Sequence, residues 1–168
     1  MRFAPAAAAL SLALALTASV SWGNERDPAP RAGVLIAEGQ SALSSGETQA
    51  AIDAFEAALA LDPGYTPILI MLAEAARADD LQGKAIRYYR EALVRDPKNL
   101  AALSGEGAAL AEKGALVKAR EKLAQVQSLC GDSCVETRQL VAAIDAGPRA
   151  AVMTAEATLP EAQPVQAN

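Results

Sequence analysis

Few residues in this sequence are equipped for chemistry. Cys130 and Cys134 are its only cysteines, spaced C-x-x-x-C, and histidine is absent. Without histidine, the commonest general base near neutral pH and the commonest transition-metal ligand are both missing. Two thiolates with no imidazole leave a zinc ion short of ligands, so no metal centre is expected. Three uses of the cysteine pair remain open: a structural disulfide, free thiols, or a redox-active dithiol. An even pair in an exported chain favours the disulfide, and catalytic dithiols are usually C-x-x-C beside a helix N-terminus. There is no Gly-rich phosphate loop and no nucleophile with a nearby base, and the carboxylates follow helix surfaces without a pairing pattern. The chain is therefore expected to be no enzyme and to carry no cofactor. Its net charge of −5 argues against nucleic acid as a partner, because phosphate binding needs a concentrated positive face.

Other charges are unevenly placed. Glu38, Glu47, Asp53, Glu56 and Asp62 occupy a stretch with no basic residue, while Arg77, Lys84, Arg87, Arg90, Arg95 and Lys98 follow it. Two readings stand: solvated helix faces, or a gradient that steers a partner of complementary charge.

The elements that must carry these residues begin after a targeting segment. Arg2, an uncharged run from Ala6 to Val20, and small residues at Ser19, Ser21 and Gly23 have the form of a secretory signal peptide over residues 1–23. Cleavage near Ser21 or Gly23, with Ala18 less favoured, would release the chain into the periplasm of a Gram-negative bacterium. The apolar run is short of the ~20 residues a spanning helix needs, so no membrane span is expected after cleavage. Residues 24–31, with Pro28 and Pro30, form a short linker.

Helical periodicity then fills three units, 32–65, 66–99 and 100–133. FEAALALDP from Phe55 to Pro63 returns as YREALVRDP from Tyr89 to Pro97, a step of 34 residues that marks a helix-turn-helix array. Alanine supplies much of the apolar content and only 4% of residues are aromatic, a composition suited to thin stacked layers of helices. Phe55 is expected to fill the space between its pair and the next, Gly46 to make a turn, and Thr66 with Pro67 to start a helix capped by the threonine. In the third unit Leu123 replaces the aromatic and Gly131 stands where the proline was. Residues 134–146 are expected to form a capping helix, opened by a Ser133–Glu136 capping box, packing through Thr137, Leu140, Val141 and Ile144, and turning Arg138, Gln139 and Asp145 to water. A Cys130–Cys134 bond would lock this cap, contributing about 2 kcal/mol by the chain-entropy model. Residues 147–168 are expected to be a disordered tail.

The repeated residues resemble the tetratricopeptide repeat (TPR) pattern, W-x2-L-G-x2-Y, A-x3-F, P. The first unit matches it through Leu35, Gly39, Ala42, Ala51, Phe55 and Pro63, and the second through Leu69, Leu72, Ala73, Ala85, Tyr89 and Pro97. The third matches weakly, through Leu103, Gly107, Leu110, Ala119 and Leu123. Glu38 and Glu106 depart from it, standing where leucine is usual, and the anchoring tryptophan is missing. The resemblance implies an all-α fold, a short right-handed solenoid of three helix-turn-helix repeats plus the C-terminal capping helix. It also implies a concave groove lined by the first helix of each pair, holding a protein or peptide partner in extended or helical form. Carried over, that groove is Ile36, Gln40 and Leu43, then Ile70, Glu74 and Arg77, then Ser104, Ala108 and Ala111. Some family members clamp a terminal carboxylate with Lys and Asn. Ile36, Gln40 and Ala101 stand at those places here, so that activity is not implied. The expected function is a periplasmic interaction module or assembly scaffold. The alternatives are a thiol-disulfide-active protein using Cys130 and Cys134, or a structural subunit of an envelope complex.

Overall fold

The computed structural model describes residues 26–149, so the targeting segment and residues 150–168 lie outside it. Among the described residues there are seven helices and no strand. They are α1 (Pro30–Ser44), α2 (Thr48–Leu61), α3 (Pro67–Ala78), α4 (Gln82–Arg95), α5 (Leu100–Glu112), α6 (Leu116–Cys130) and α7 (Val135–Ala146). α1–α2, α3–α4 and α5–α6 pack as pairs, α2 meets α3, α4 meets α5, and α7 lies against α5 and α6. This is an all-α solenoid of three helix pairs closed by a capping helix.

The turn inside each pair falls at one register position, where the backbone must take positive φ. Gly46 and Gly114 supply it with φ of 79° and 87°. In the middle pair Asp80 holds the equivalent place at φ 56°, the one non-glycine residue with positive φ among those described. Aspartate is among the few residues that tolerate this region.

Missing Cβ atoms decide where the large side chains go. A Cβ built on Gly39 would lie 2.5 to 2.9 Å from the Phe55 ring, so Phe55 packs onto α1 of its own pair. The expectation that it fills the space towards the next pair is corrected in that respect. Tyr89 does lean forward, onto Gly105 of the following pair. Gly107 receives the two Leu140 methyls, each 2.8 Å from where its Cβ would be, and this seats α7. Leu103, Ala108, Val126 and Leu140 form a small core beneath the cap, and the main core runs from Ala32 to Ala119.

Several expected boundaries and caps differ. α1 begins at Pro30, inside the stretch read as linker, and Arg26 to Ala29 are docked: Asp62 accepts from the Arg26 guanidinium and, at 2.9 Å, from the Ala29 N–H. Thr66 has helical φ/ψ, and its hydroxyl caps nothing. Asn99 is the side chain that caps, its Oδ1 accepting from the Ala102 N–H at 3.0 Å. Cys134, in extended conformation, is the N-cap of α7, so Ser133 stands one place outside and the capping box does not form. Thr137 and Leu140 are buried as expected, whereas Val141 is on the exposed side. Arg149, in the stretch read as tail, donates through its main-chain N–H to the Glu112 carbonyl at 2.9 Å.

Candidate functional site

The concave side of the stack is built by α3 and α5, and α7 crosses beside them. These three helices, with Tyr89 of α4, enclose a cavity of about 490 Å³ lined by Glu74, Arg77, Tyr89, Ala101, Ser104, Gly105, Ala108, Val135, Glu136, Gln139 and Ala143. Four of the nine residues expected in the groove therefore meet here: Glu74, Arg77, Ser104 and Ala108. Ile70 lines a second cavity of about 310 Å³, with Arg26, Tyr65, Pro67 and Asn99. Gln40 is exposed and Leu43 half-buried on α1.

Two expected groove residues are packing residues instead. Ile36 is buried in the main core, and Ala111 has no exposed surface. The reason for Ala111 is that α5 is wrapped by α3, α4, α6 and α7, which buries it without interruption from Ala102 to Glu112. Ser104 and Ala108, at 5% and 6% exposure, form only the floor of the cavity. The residues that the groove assignment missed come mostly from α7: Val135, Glu136, Gln139 and Ala143. Of these, the sequence reading turns only Gln139 to water and gives Glu136 to the capping box, while Val135 and Ala143 carry no signal of a groove.

A polar lattice holds one rim. The Arg77 guanidinium donates to both oxygens of the buried Glu112 carboxylate, at 2.6 and 3.2 Å. Arg149 reaches the same carboxylate at 3.3 Å, and also donates to the Arg77 carbonyl at 3.0 Å and to Asp80 at 2.8 Å. Burial acts to lower the Arg77 pKa, yet the hydrogen bond to Glu112 and the nearby Tyr89 phenol raise it above its ordinary value. Burial pushes the Tyr89 phenol up to about 12. Glu74 keeps solvent contact, but desolvation by the concave wall raises its carboxyl above the usual range against the opposing pull of Arg77.

The charges of the middle unit are mostly spent between repeats. Lys84 meets Glu56 at 2.9 Å, and Tyr88 donates to the same carboxylate at 2.9 Å. The Lys84 contact, helped by Tyr88, holds the Glu56 carboxyl below its usual range against desolvation. Arg90 and Lys122 each reach the buried Glu106 at 2.7 Å, which explains a glutamate where leucine is usual. Arg95 donates to the Pro63 carbonyl at 2.6 Å and pairs with Glu91. Lys84 is half-buried by its contact, whereas Arg90 and Arg95, though partnered, stay exposed as solvated helix faces would be.

Cys130 ends α6 and Cys134 caps α7. Their Cα atoms are 5.9 Å apart, inside the range a disulfide spans. Thr137 lies under the turn, its hydroxyl 2.8 Å from the Gly131 carbonyl to which it donates. The possible ligand atoms of Cys130, Cys134 and Glu136 lie within 4.8 Å of one another. As thiolates and a carboxylate they make a three-donor set, and pairing the sulfurs removes two of the three donors.

As a sequence, the chain matches no curated protein. Among solved structures it is similar to the Sgt2 TPR domain from Aspergillus fumigatus, with 28% identity, TM-score 0.64, and 71% of this chain and 80% of that one covered. It is also similar to the Yersinia enterocolitica type III secretion chaperone SycD in complex with a peptide of the translocator YopD, with 21% identity, TM-score 0.63, and 70% and 92% covered. A third likeness is to the first TPR of Spaghetti (RPAP3) bound to the HSP90 peptide SRMEEVD, with 22% identity, TM-score 0.61, and 73% and 99% covered. The tetratricopeptide repeat pattern itself matches residues 36–99 and again 71–133. With that pattern covering more than half of its length, the chain belongs to the tetratricopeptide repeat family.

Proposed function

We propose that the chain is a non-catalytic interaction module, exported to the periplasm, whose concave groove holds a peptide segment of a partner protein. The observation that carries this is the cavity of about 490 Å³ between α3, α5 and α7, concave and lined by both apolar and polar side chains. The solved structures of SycD and Spaghetti, similar in fold, hold peptides, which supports the same use here. Among the described residues no helix is long and apolar enough to cross a membrane. In an oxidising compartment Cys130 and Cys134 form a structural staple between α6 and α7.

A photo-crosslinking residue placed at Ala101, exposed and at the cavity, should trap partner peptide in the cell envelope. One at Val94, 82% exposed on α4 and away from the cavity, should not. Crosslinks from Val94 without any from Ala101 would place binding on the other face. Amino-terminal sequencing of the protein from the periplasmic fraction tests export. A chain that still begins at Met1 there would overturn the signal cleavage, and a chain confined to the cytosol would overturn the export.

A further inference from the structure

We infer that the cavity between α3, α5 and α7 selects a basic side chain, so that the partner segment presents Lys or Arg flanked by apolar residues. The inference rests on the groove proposed above and adds its charge preference. Six acidic and basic side chains stand in or around the cavity: Glu74, Arg77, Asp80, Glu112, Glu136 and Arg149. Arg77 and Arg149 are already engaged by Glu112 and Asp80, two guanidiniums against two carboxylates. Glu74 and Glu136 are left over. Neither side chain has a hydrogen bond or ion pair within the described residues, and both residues line the cavity, from α3 and α7; Arg77 acts on Glu74 only at longer range, and the Glu136 carboxylate also lies within 4.8 Å of the Cys130 and Cys134 sulfurs.

The rest of the lining fits the same occupant. Ala101, Gly105, Ala108, Val135 and Ala143 give small apolar surfaces that leave room for a long aliphatic stem, and Ser104, already bonded to the Glu136 carbonyl at 3.0 Å, supplies no cation. Lys and Arg are the side chains that bury an aliphatic stem while their head meets carboxylates. An acidic segment would instead set its charge beside two unpaired carboxylates in a partly desolvated site, which is repulsive. The same objection applies to the chain's own residues 150–168, which contain Glu156 and Glu161 and no Lys or Arg.

The test is a positional-scanning library of synthetic nonapeptides, with every residue type at each position, probed with the mature chain and with a Glu74→Gln, Glu136→Gln double variant checked for folding by circular dichroism. The mature chain should enrich Lys or Arg at one central position between apolar neighbours. The double variant should bind the best such peptide roughly five- to tenfold more weakly, the size expected for two partly exposed charge contacts. Enrichment of acidic peptides, or basic enrichment that the double variant leaves unchanged, would overturn the charge preference and leave the groove standing. Capture of no peptide at all by the mature chain would overturn the groove and this inference together.

Discussion

Replacing Gly105 by alanine adds one methyl group where Tyr89 of the second pair packs against the third pair. A Cβ there would lie 2.6 Å from the Tyr89 hydroxyl oxygen and nearer still to ring atoms Cζ and Cε1. Tyr89 is 1% exposed, so its ring can give way only by intruding on the cavity it lines. Two ring atoms and the hydroxyl oxygen inside 3.0 Å place the change at the upper end of overpacking costs, about 3 kcal/mol. The gain in helix propensity from Gly to Ala offsets about 1 kcal/mol of this. The net loss is then about 2 kcal/mol, which moves a urea midpoint down by roughly 1 M for a slope near 2 kcal/mol per M. Gly83→Ala is the matched control. The nearest atom to its added methyl is the end of the Lys113 side chain at 3.9 Å, so only the propensity gain remains, about 0.5 kcal/mol near a helix start. Urea unfolding followed by far-UV circular dichroism should therefore give midpoint shifts of opposite sign for two identical chemical changes. A Gly105→Ala midpoint at or above that of the parent protein would refute the account of how the second and third pairs interlock.

Asp62 is buried, and its bonds to Arg26 and to the Ala29 N–H hold its carboxyl below the usual aspartate range. Its contribution is therefore present above the unfolded-state pKa and lost as pH falls through the lower folded-state value. Protection from hydrogen exchange, relative to the intrinsic rate, should fall at Arg26 to Ala29 in that acid window in the parent protein and already be low at neutral pH in Asp62→Asn. Protection unchanged in that variant would argue against the clamp. Glu106→Leu should stay within about 1 kcal/mol of the parent, because Arg90 and Lys122 can turn to water and the apolar side chain fills the space, while Glu106→Ala should lose about 2 kcal/mol by thermal unfolding. Reduction of the Cys130–Cys134 pair should lower the denaturation midpoint by the equivalent of about 2 kcal/mol and leave a Cys130→Ser, Cys134→Ser variant unaffected, with mass spectrometry of alkylated protein reporting the thiol state.

The repeat length, the helix pairs and the turn glycines were legible because each is a local property read along one helix or one turn. Asp80 was not flagged, since an aspartate at positive φ carries no mark of its own apart from its place 34 residues from Gly46 and Gly114. The groove was half legible. The register on α3 correctly puts Glu74 and Arg77 on the concave side, but the same register on α5 fails for Ala111, because exposure there depends on how many helices surround α5. The roles of Glu56, Glu106 and Glu112 were out of reach for the same reason. Each receives a cation from another helix, at a separation in the chain that helical periodicity does not encode.

The position of α7, on which the cavity depends, follows from a chain of small substitutions. Gly39, Ala73 and Gly107 are equivalent places 34 residues apart, as are Met71 and Gly105. Phe55 meets Gly39 behind it and a repeat with Met71 ahead, so its ring packs backwards; Tyr89 meets Ala73 behind and Gly105 ahead, so its ring packs forwards. The third pair has Leu123 in place of the aromatic, and Gly107 is left without a ring to cover it. Leu140 takes that place, and α7 is drawn onto α5 instead of stacking as the first helix of a fourth pair. Once there, its Val135, Glu136, Gln139 and Ala143 become a wall of the cavity. The loss of the aromatic in the last repeat, which in sequence marks only where the array decays, is thus what closes the groove and sets its charge. Restoring a ring by Leu123→Phe should compete with Leu140 for Gly107, loosen α7, and show as faster hydrogen exchange in α7 with α1 to α4 unchanged. Exchange in α7 as slow as in the parent would mean that the cap is seated by something other than the vacancy at Gly107.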